Sequence, residues 1–78
     1  MNLFKVSEIL LEEGISHRSV SPTAIRMDWI IDGASRPVVL YDVKTNQVTN
    51  MPAHQYMMDS HRHRLADILK RCKFTNTH

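Results

Sequence analysis

The alternating stretch at residues 23–32, "TAIRMDWIID", constrains the fold of this chain more than any other part of the sequence. Every second position from 25 to 31 is apolar, and charged residues occupy most of the positions between them. A period of two is typical of a strand that buries one face. "DG" follows, and then a second apolar run, "RPVVLYDV". Because glycine adopts positive φ readily, Gly33 is expected to turn the chain into a hairpin, with Pro37 at the start of the returning strand.

Helical patterns lie at both ends of the chain. In "LFKVSEILLEEG" the apolar residues recur at helical spacing, and Gly14 stands where a C-terminal cap belongs. In the last twenty residues a second apolar face is formed by His61, Leu65, Ile68, Leu69 and Cys72. "ISHRSVSP" and "VTNM" are expected to be short strands, and "AHQYMMDS" a loop or an irregular helical turn.

This order of elements predicts an α+β fold, a two-layer sandwich. It has an N-terminal helix, a three- or four-stranded antiparallel meander and a C-terminal amphipathic helix, with both helices on one face of the sheet. Met27, Trp29, Val39 and Tyr41 are the expected core residues on the sheet side. Residues 1–74 would form a single domain, because 78 residues suffice for one, and residues 75–78 a disordered tail.

Cysteine content and hydropathy bear on the compartment. Cys72 is the only cysteine, so an intrachain disulfide is impossible. No apolar run approaches the roughly 20 residues that cross a bilayer, and the N-terminal segment has acidic residues where a signal peptide is apolar. A cytoplasmic protein without a membrane partner is therefore expected.

Positive charge is concentrated at the C-terminal end. Residues 59–78 contain five Lys or Arg against two Asp, whereas residues 1–58 contain five against six acidic residues. A localised basic region is typical of proteins that bind a polyanion. We therefore predict a non-enzymatic binding module, without a cofactor or a metal, whose last helix contacts nucleic acid or an acidic protein surface. The expected contact residues on this helix are Arg62, His63, Arg64, Lys70, Arg71 and Lys73.

A second hypothesis rests on the segment Tyr56, Met57 and Met58, which precedes the last helix. Methionine and aromatic side chains, when exposed, form adaptable protein-binding surfaces. The chain would then be a small inhibitor or adaptor, of the kind that phages and mobile elements encode, and would use this segment together with the last helix. A free strand edge would also allow a homodimer.

The histidines give a third alternative, a small nuclease or metal-dependent enzyme. On a helix His61 and His63 point about 200° apart and cannot bind one metal ion together. A site of this kind would need His54, His61 and His63 to converge in space, or would use His17.

Three stretches, "VSEILLEEG", "VTNMPAH" and "LADILKRCKF", resemble the small toxins of the HicA kind. The resemblance implies a helix–three strands–helix fold related to double-stranded RNA-binding domains, and an RNA-binding ancestry. That family cuts mRNA with a histidine in a Gly-Ser-His-like stretch on an early strand. The comparable stretch here, "SPTAIR" at residues 21–26, contains no histidine.

Overall fold

The computed structural model describes residues 3–76, with the side chains of residues 3–75. Helix α1 (Leu3–Glu12) comes first and is followed by the strands β1 (His17–Ser19), β2 (Ala24–Ile31), β3 (Ala34–Asp42) and β4 (Gln47–Asn50). A 3₁₀ helix (Pro52–Tyr56) and helix α2 (Asp59–Asn76) complete the described chain. The predicted α+β order is confirmed, and the meander has four strands.

The four strands form one antiparallel sheet in the order β1-β2-β3-β4. The tightest connection joins β2 to β3 through two residues, Asp32 with φ 52° and Gly33 with φ 79°. Positive φ at both positions is the geometry of a type I′ turn, which Asp-Gly favours and which matches the twist of the strands. The hairpin predicted at this place is confirmed.

A β-bulge interrupts the pairing of β2 with β3. Met27 lies opposite Val39 and Asp28 opposite Pro37, so Val38 is an extra residue on β3. Pro37 was expected at the start of its strand, but β3 begins three residues earlier, at Ala34. An inner strand tolerates proline here because the bulge already disrupts the ladder of hydrogen bonds.

Both helices contribute to a single core on the sheet. Val6 and Leu10 of α1, Met27 and Tyr41 of the sheet, and Leu65 of α2 are all fully buried. Three of the four expected core residues of the sheet are buried, whereas Trp29 is only half-buried because it lies at the edge of the core. The apolar face predicted for α2 is likewise buried, apart from its half-buried first member, His61.

Helix α1 ends in a Schellman motif. The N–H of Gly14 donates to the carbonyl of Leu11 (3.1 Å), and the N–H of Ile15 donates to that of Leu10 (2.8 Å). Gly14 has φ 71°, which glycine adopts without strain, and the cap predicted there is confirmed.

The described part of the chain ends within the segment that was expected to be the tail. Helix α2 continues to Asn76, two residues past the expected end of the domain at Phe74, and residues 77–78 lie outside the described part of the chain. Within the described residues, no helix combines the length and the apolar character that crossing a membrane requires.

Candidate functional site

The side of α2 that faces α1 is occupied by ion pairs. Arg71 bonds to Glu12 (Nη2–Oε2, 2.7 Å) and to Glu13 (Nη1–Oε2, 3.2 Å). Arg64 donates to the main-chain carbonyl of Glu13 and lies 3.7 Å from its carboxylate. Arg64 and Arg71 were predicted to contact a polyanion. Both bond to the acidic end of α1 while staying about half exposed, and their contact with a polyanion stays a prediction.

The opposite side of α2 forms a groove with β4, of about 430 Å³, which we call the β4–α2 groove. Its apolar lining is contributed by Val48, Leu65, Ala66 and Leu69. Its polar lining consists of Asn50, His54, Arg62, His63, Lys70 and Lys73. Four of the six helix residues predicted to bind a partner therefore lie together here. His54 lines the same groove, although the sequence suggested it only as part of a nuclease or metal site.

The charge of this groove is uniformly positive or neutral, because none of its described lining residues is acidic. Arg62 is paired with Asp59, an exposed carboxylate one turn earlier in α2. Neither Lys70 nor Lys73 forms an ion pair within residues 3–76. Their ammonium groups therefore stay available to an anionic ligand.

Two histidines border the same groove. Partial burial, and then the positive charge of Arg62, lower the pKa of His54 below its usual value. His63 Nδ1 lies 2.8 Å from the carbonyl of Asp59. Since a carbonyl only accepts, Nδ1 carries the proton and Nε2 is left for another partner.

The third histidine of the proposed metal site, His61, faces Trp29 instead of the β4–α2 groove. Trp29 Nε1–H donates to His61 Nδ1 at 3.2 Å, and the two ring centroids are 5.4 Å apart. The guanidinium of Arg64 lies over the ring of Trp29, 5.7 Å from its centroid. Among the described residues, no group of three His, Cys, Asp or Glu side chains has the arrangement of a metal site. His61 therefore does not converge with His54 and His63.

His17 connects β1 to α1. Its Nδ1 lies 2.8 Å from the carbonyl of Ile15, and its Nε2 lies 2.8 Å from the hydroxyl of Ser7. The carbonyl fixes the proton on Nδ1, so Ser7 donates to Nε2. Sequence reasoning missed this contact because the two residues lie ten positions apart and belong to different elements.

Cys72 lies on the buried face of α2. Burial raises the pKa of its thiol to about 11, although the charge of Arg71 acts in the opposite direction. The thiol is therefore protonated at neutral pH, and a protonated thiol is a poor nucleophile.

The segment from Tyr56 to Met58 divides between the surface and the core. Tyr56 and Met58 are 69% and 64% exposed, whereas Met57 is 5% exposed and packs in the core. Met57 is therefore unavailable to a partner, contrary to the prediction. The hairpin places Ile30, which is 65% exposed, near the two exposed side chains.

Comparison of the chain with models of protein families, with curated proteins and with solved structures found no match.

Proposed function

We propose that this chain is a non-enzymatic binding module that holds a polyanion, most favourably nucleic acid, in the β4–α2 groove. The observation that carries the proposal is the composition of the groove. Arg62, Lys70 and Lys73, together with two histidines, line one surface from which carboxylates are absent among the described residues. Like charges repel in an empty groove, and an anionic ligand removes that repulsion.

The spacing of the cations suits a row of phosphates. Arg62 and Lys73 are eleven positions apart on α2, which is about 16 Å along a helix with a rise of about 1.5 Å per residue. A polyanion with closely spaced charges meets several of these side chains at once, whereas a small anion meets one or two. Each phosphate contact also releases counterions, which adds to affinity at low salt.

The groove favours contact with the nucleic-acid backbone over contact with bases. No Phe, Tyr or Trp side chain is present among its described lining residues. Binding of single strands depends largely on bases that stack on aromatic side chains, whereas phosphate contacts need only cations. We therefore expect a preference for duplexes and little dependence on base sequence.

Two adjacent residues of α2 provide a matched test. Lys70 lines the groove, whereas Arg71 faces α1, and a change to glutamine removes one positive charge at either position. Lys70→Gln should weaken binding to a labelled RNA duplex of about 16 base pairs by about fivefold. Arg71→Gln should change it by less than about twofold. Fluorescence anisotropy at low ionic strength measures both.

Equal losses in the two variants would show that net charge, and not this groove, governs binding. Absence of measurable binding to RNA or DNA duplexes at low salt would contradict the proposal directly. Polyglutamate serves as the competitor, because it carries the charge of an acidic protein surface without phosphates. Displacement of the duplex by polyglutamate at an equal concentration of charge would assign the groove to an acidic protein.

A further inference from the structure

Strand β2 extends beyond its neighbour β1, and part of one edge of the sheet is left open. β1 pairs with β2 only as far as Met27, and one further bond joins the N–H of Asp28 to the carbonyl of Ser16 (2.8 Å). The residues that precede Ser16 do not extend β1, because the chain bends at Gly14, where it leaves α1. Beyond Asp28, no strand within residues 3–76 covers this side of β2.

The register of the hairpin determines which main-chain groups point into the gap. Ile31 and Ala34 flank the two-residue turn and form the hydrogen-bonded pair that closes it. Hydrogen-bonded and non-bonded pairs alternate in an antiparallel ladder, so the next pair, Ile30 with Ser35, is non-bonded. The N–H and the carbonyl of Ile30 therefore point away from β3, toward the open edge.

Two cavities follow this edge. The first, of about 250 Å³, lies in line with β1 and is bordered by Gly14, Ile15, Ile30 and Arg64, among others. The second, of about 180 Å³, continues toward the hairpin turn and is bordered by Asp32, Tyr56 and Met58, among others. Both share Trp29, Ile30 and His61. We call the two cavities together the β2 edge groove.

The side chains along this groove suit an apolar ligand. Ile30, Tyr56 and Met58 are each more than half exposed, and the half-buried ring of Trp29 forms part of the wall. Exposed apolar side chains gathered in this way are typical of interaction sites, and methionine adapts its shape to a bound partner.

We propose that the β2 edge groove binds an extended, apolar segment of a partner protein by strand addition. The segment would exchange two main-chain hydrogen bonds with Ile30, and its alternate side chains would pack against Trp29 on one face and Ile30 on the other. This surface is separate from the β4–α2 groove, so the proposal goes beyond the polyanion-binding function. The protein would connect a polyanion to a second protein.

The geometry favours a peptide over a second copy of this chain. A symmetric β2–β2 pairing centred on Ile30 places residue 32 of the second copy opposite Asp28. Ser16 already occupies that position, through its bond to the N–H of Asp28. The second copy and Ser16 would therefore compete for the same place beside Asp28. A peptide that ends before this point avoids that overlap.

A library of random twelve-residue peptides displayed on phage, followed by synthesis of the recovered peptides, provides the probe. Trp29 is the only tryptophan of the chain, so its fluorescence reports occupancy of the groove directly. We expect recovered peptides to alternate apolar and polar residues and to change this fluorescence saturably. Methylation of the peptide amides that face Ile30 should weaken binding by about tenfold, because main-chain hydrogen bonds are lost.

Ile30→Pro is the matched change in the protein. It removes the N–H at the open edge and leaves the bonds between β2 and β3 in place. It should weaken binding by about fivefold or more, whereas Leu11→Ala, at an equally exposed apolar residue of α1, should leave binding unchanged. If Ile30→Pro alters the circular dichroism spectrum, the methylated peptides on the unchanged protein decide the question.

Three results would overturn the proposal. The first is a library that yields no peptide above background. The second is an affinity that amide methylation leaves unchanged. The third is a dimer, seen in sedimentation experiments, that Ile30→Pro abolishes. Displacement of the peptide by an RNA duplex would also contradict a separate surface. Failure of duplex binding alone would affect only the polyanion-binding function, because the two probes occupy different grooves.

Discussion

Trp29 is the residue that most clearly connects the sheet to the start of α2. It donates to His61 Nδ1 and lies beneath the guanidinium of Arg64, so it contacts two residues of the helix at once. The alternation of β2 predicted that Trp29 faces the helices. Its hydrogen bond was not predictable, because it depends on how the first turn of α2 is placed over the sheet.

Trp29→Phe should lower the free energy of unfolding by about 1–2 kcal/mol. Phenylalanine retains an apolar ring, but it loses the bond to His61 and weakens the cation–π contact with Arg64. Urea denaturation followed by far-ultraviolet circular dichroism measures the change. Phe4→Ala, at a largely exposed side chain, is the control and should stay within about 0.5 kcal/mol of the unchanged protein. Equal stability of Trp29→Phe and the unchanged protein would refute the role given to this side chain.

At the scale of elements, the sequence pattern of helix α2 predicted its buried face but not the arrangement of its charged residues. The spacing of Leu65, Ile68, Leu69 and Cys72 predicted the buried face correctly, because burial depends on helical periodicity alone. The cationic surface was predicted as one face. In the structure it divides into two sides, because α1 lies along one of them.

The acidic pair at the end of α1 was the available signal for this division. Glu12 and Glu13 lie at the C-terminal end of α1, where negative charge opposes the helix dipole, so α1 needs stabilisation from outside the helix. Helical periodicity could not identify the partners of these glutamates, because Arg64 and Arg71 are more than fifty positions away in the sequence. Such contacts depend on how two helices are placed together on a sheet.

Strand β3 provides a second example. Its apolar run and the Asp-Gly turn before it predicted the hairpin, because both are local properties of the chain. The bulge at Val38 was not predictable, and it allows Pro37 to lie within the strand instead of at its start. The open edge of β2 was not predictable either, because it depends on where another strand, β1, ends.

For the molecule as a whole, His54 of the β4–α2 groove makes stability depend on pH. The pKa of His54 is lowered in the folded protein, so the unfolded chain takes up the proton first. Stability contributed by neutral His54 is present above the unfolded value of about 6.5 and is lost as pH falls through the lower folded value.

The unchanged protein should therefore lose more stability between pH 8 and pH 5 than His54→Gln does. Thermal unfolding at several pH values measures the difference. A bound polyanion should reduce this difference, because its negative charge favours protonated His54. Parallel pH profiles for the two proteins would show that His54 does not contribute.

The central claim is that the β4–α2 groove binds a polyanion through Arg62, Lys70 and Lys73. The most direct test is the salt dependence of binding to a DNA duplex, measured between about 50 and 200 mM salt for the unchanged protein and for Lys70→Gln/Lys73→Gln. Three phosphate contacts predict a slope of log affinity against log salt of about −2.7, and the double variant should have a slope of about −0.9. A slope near zero for the unchanged protein, or the same slope for both proteins, would contradict the claim.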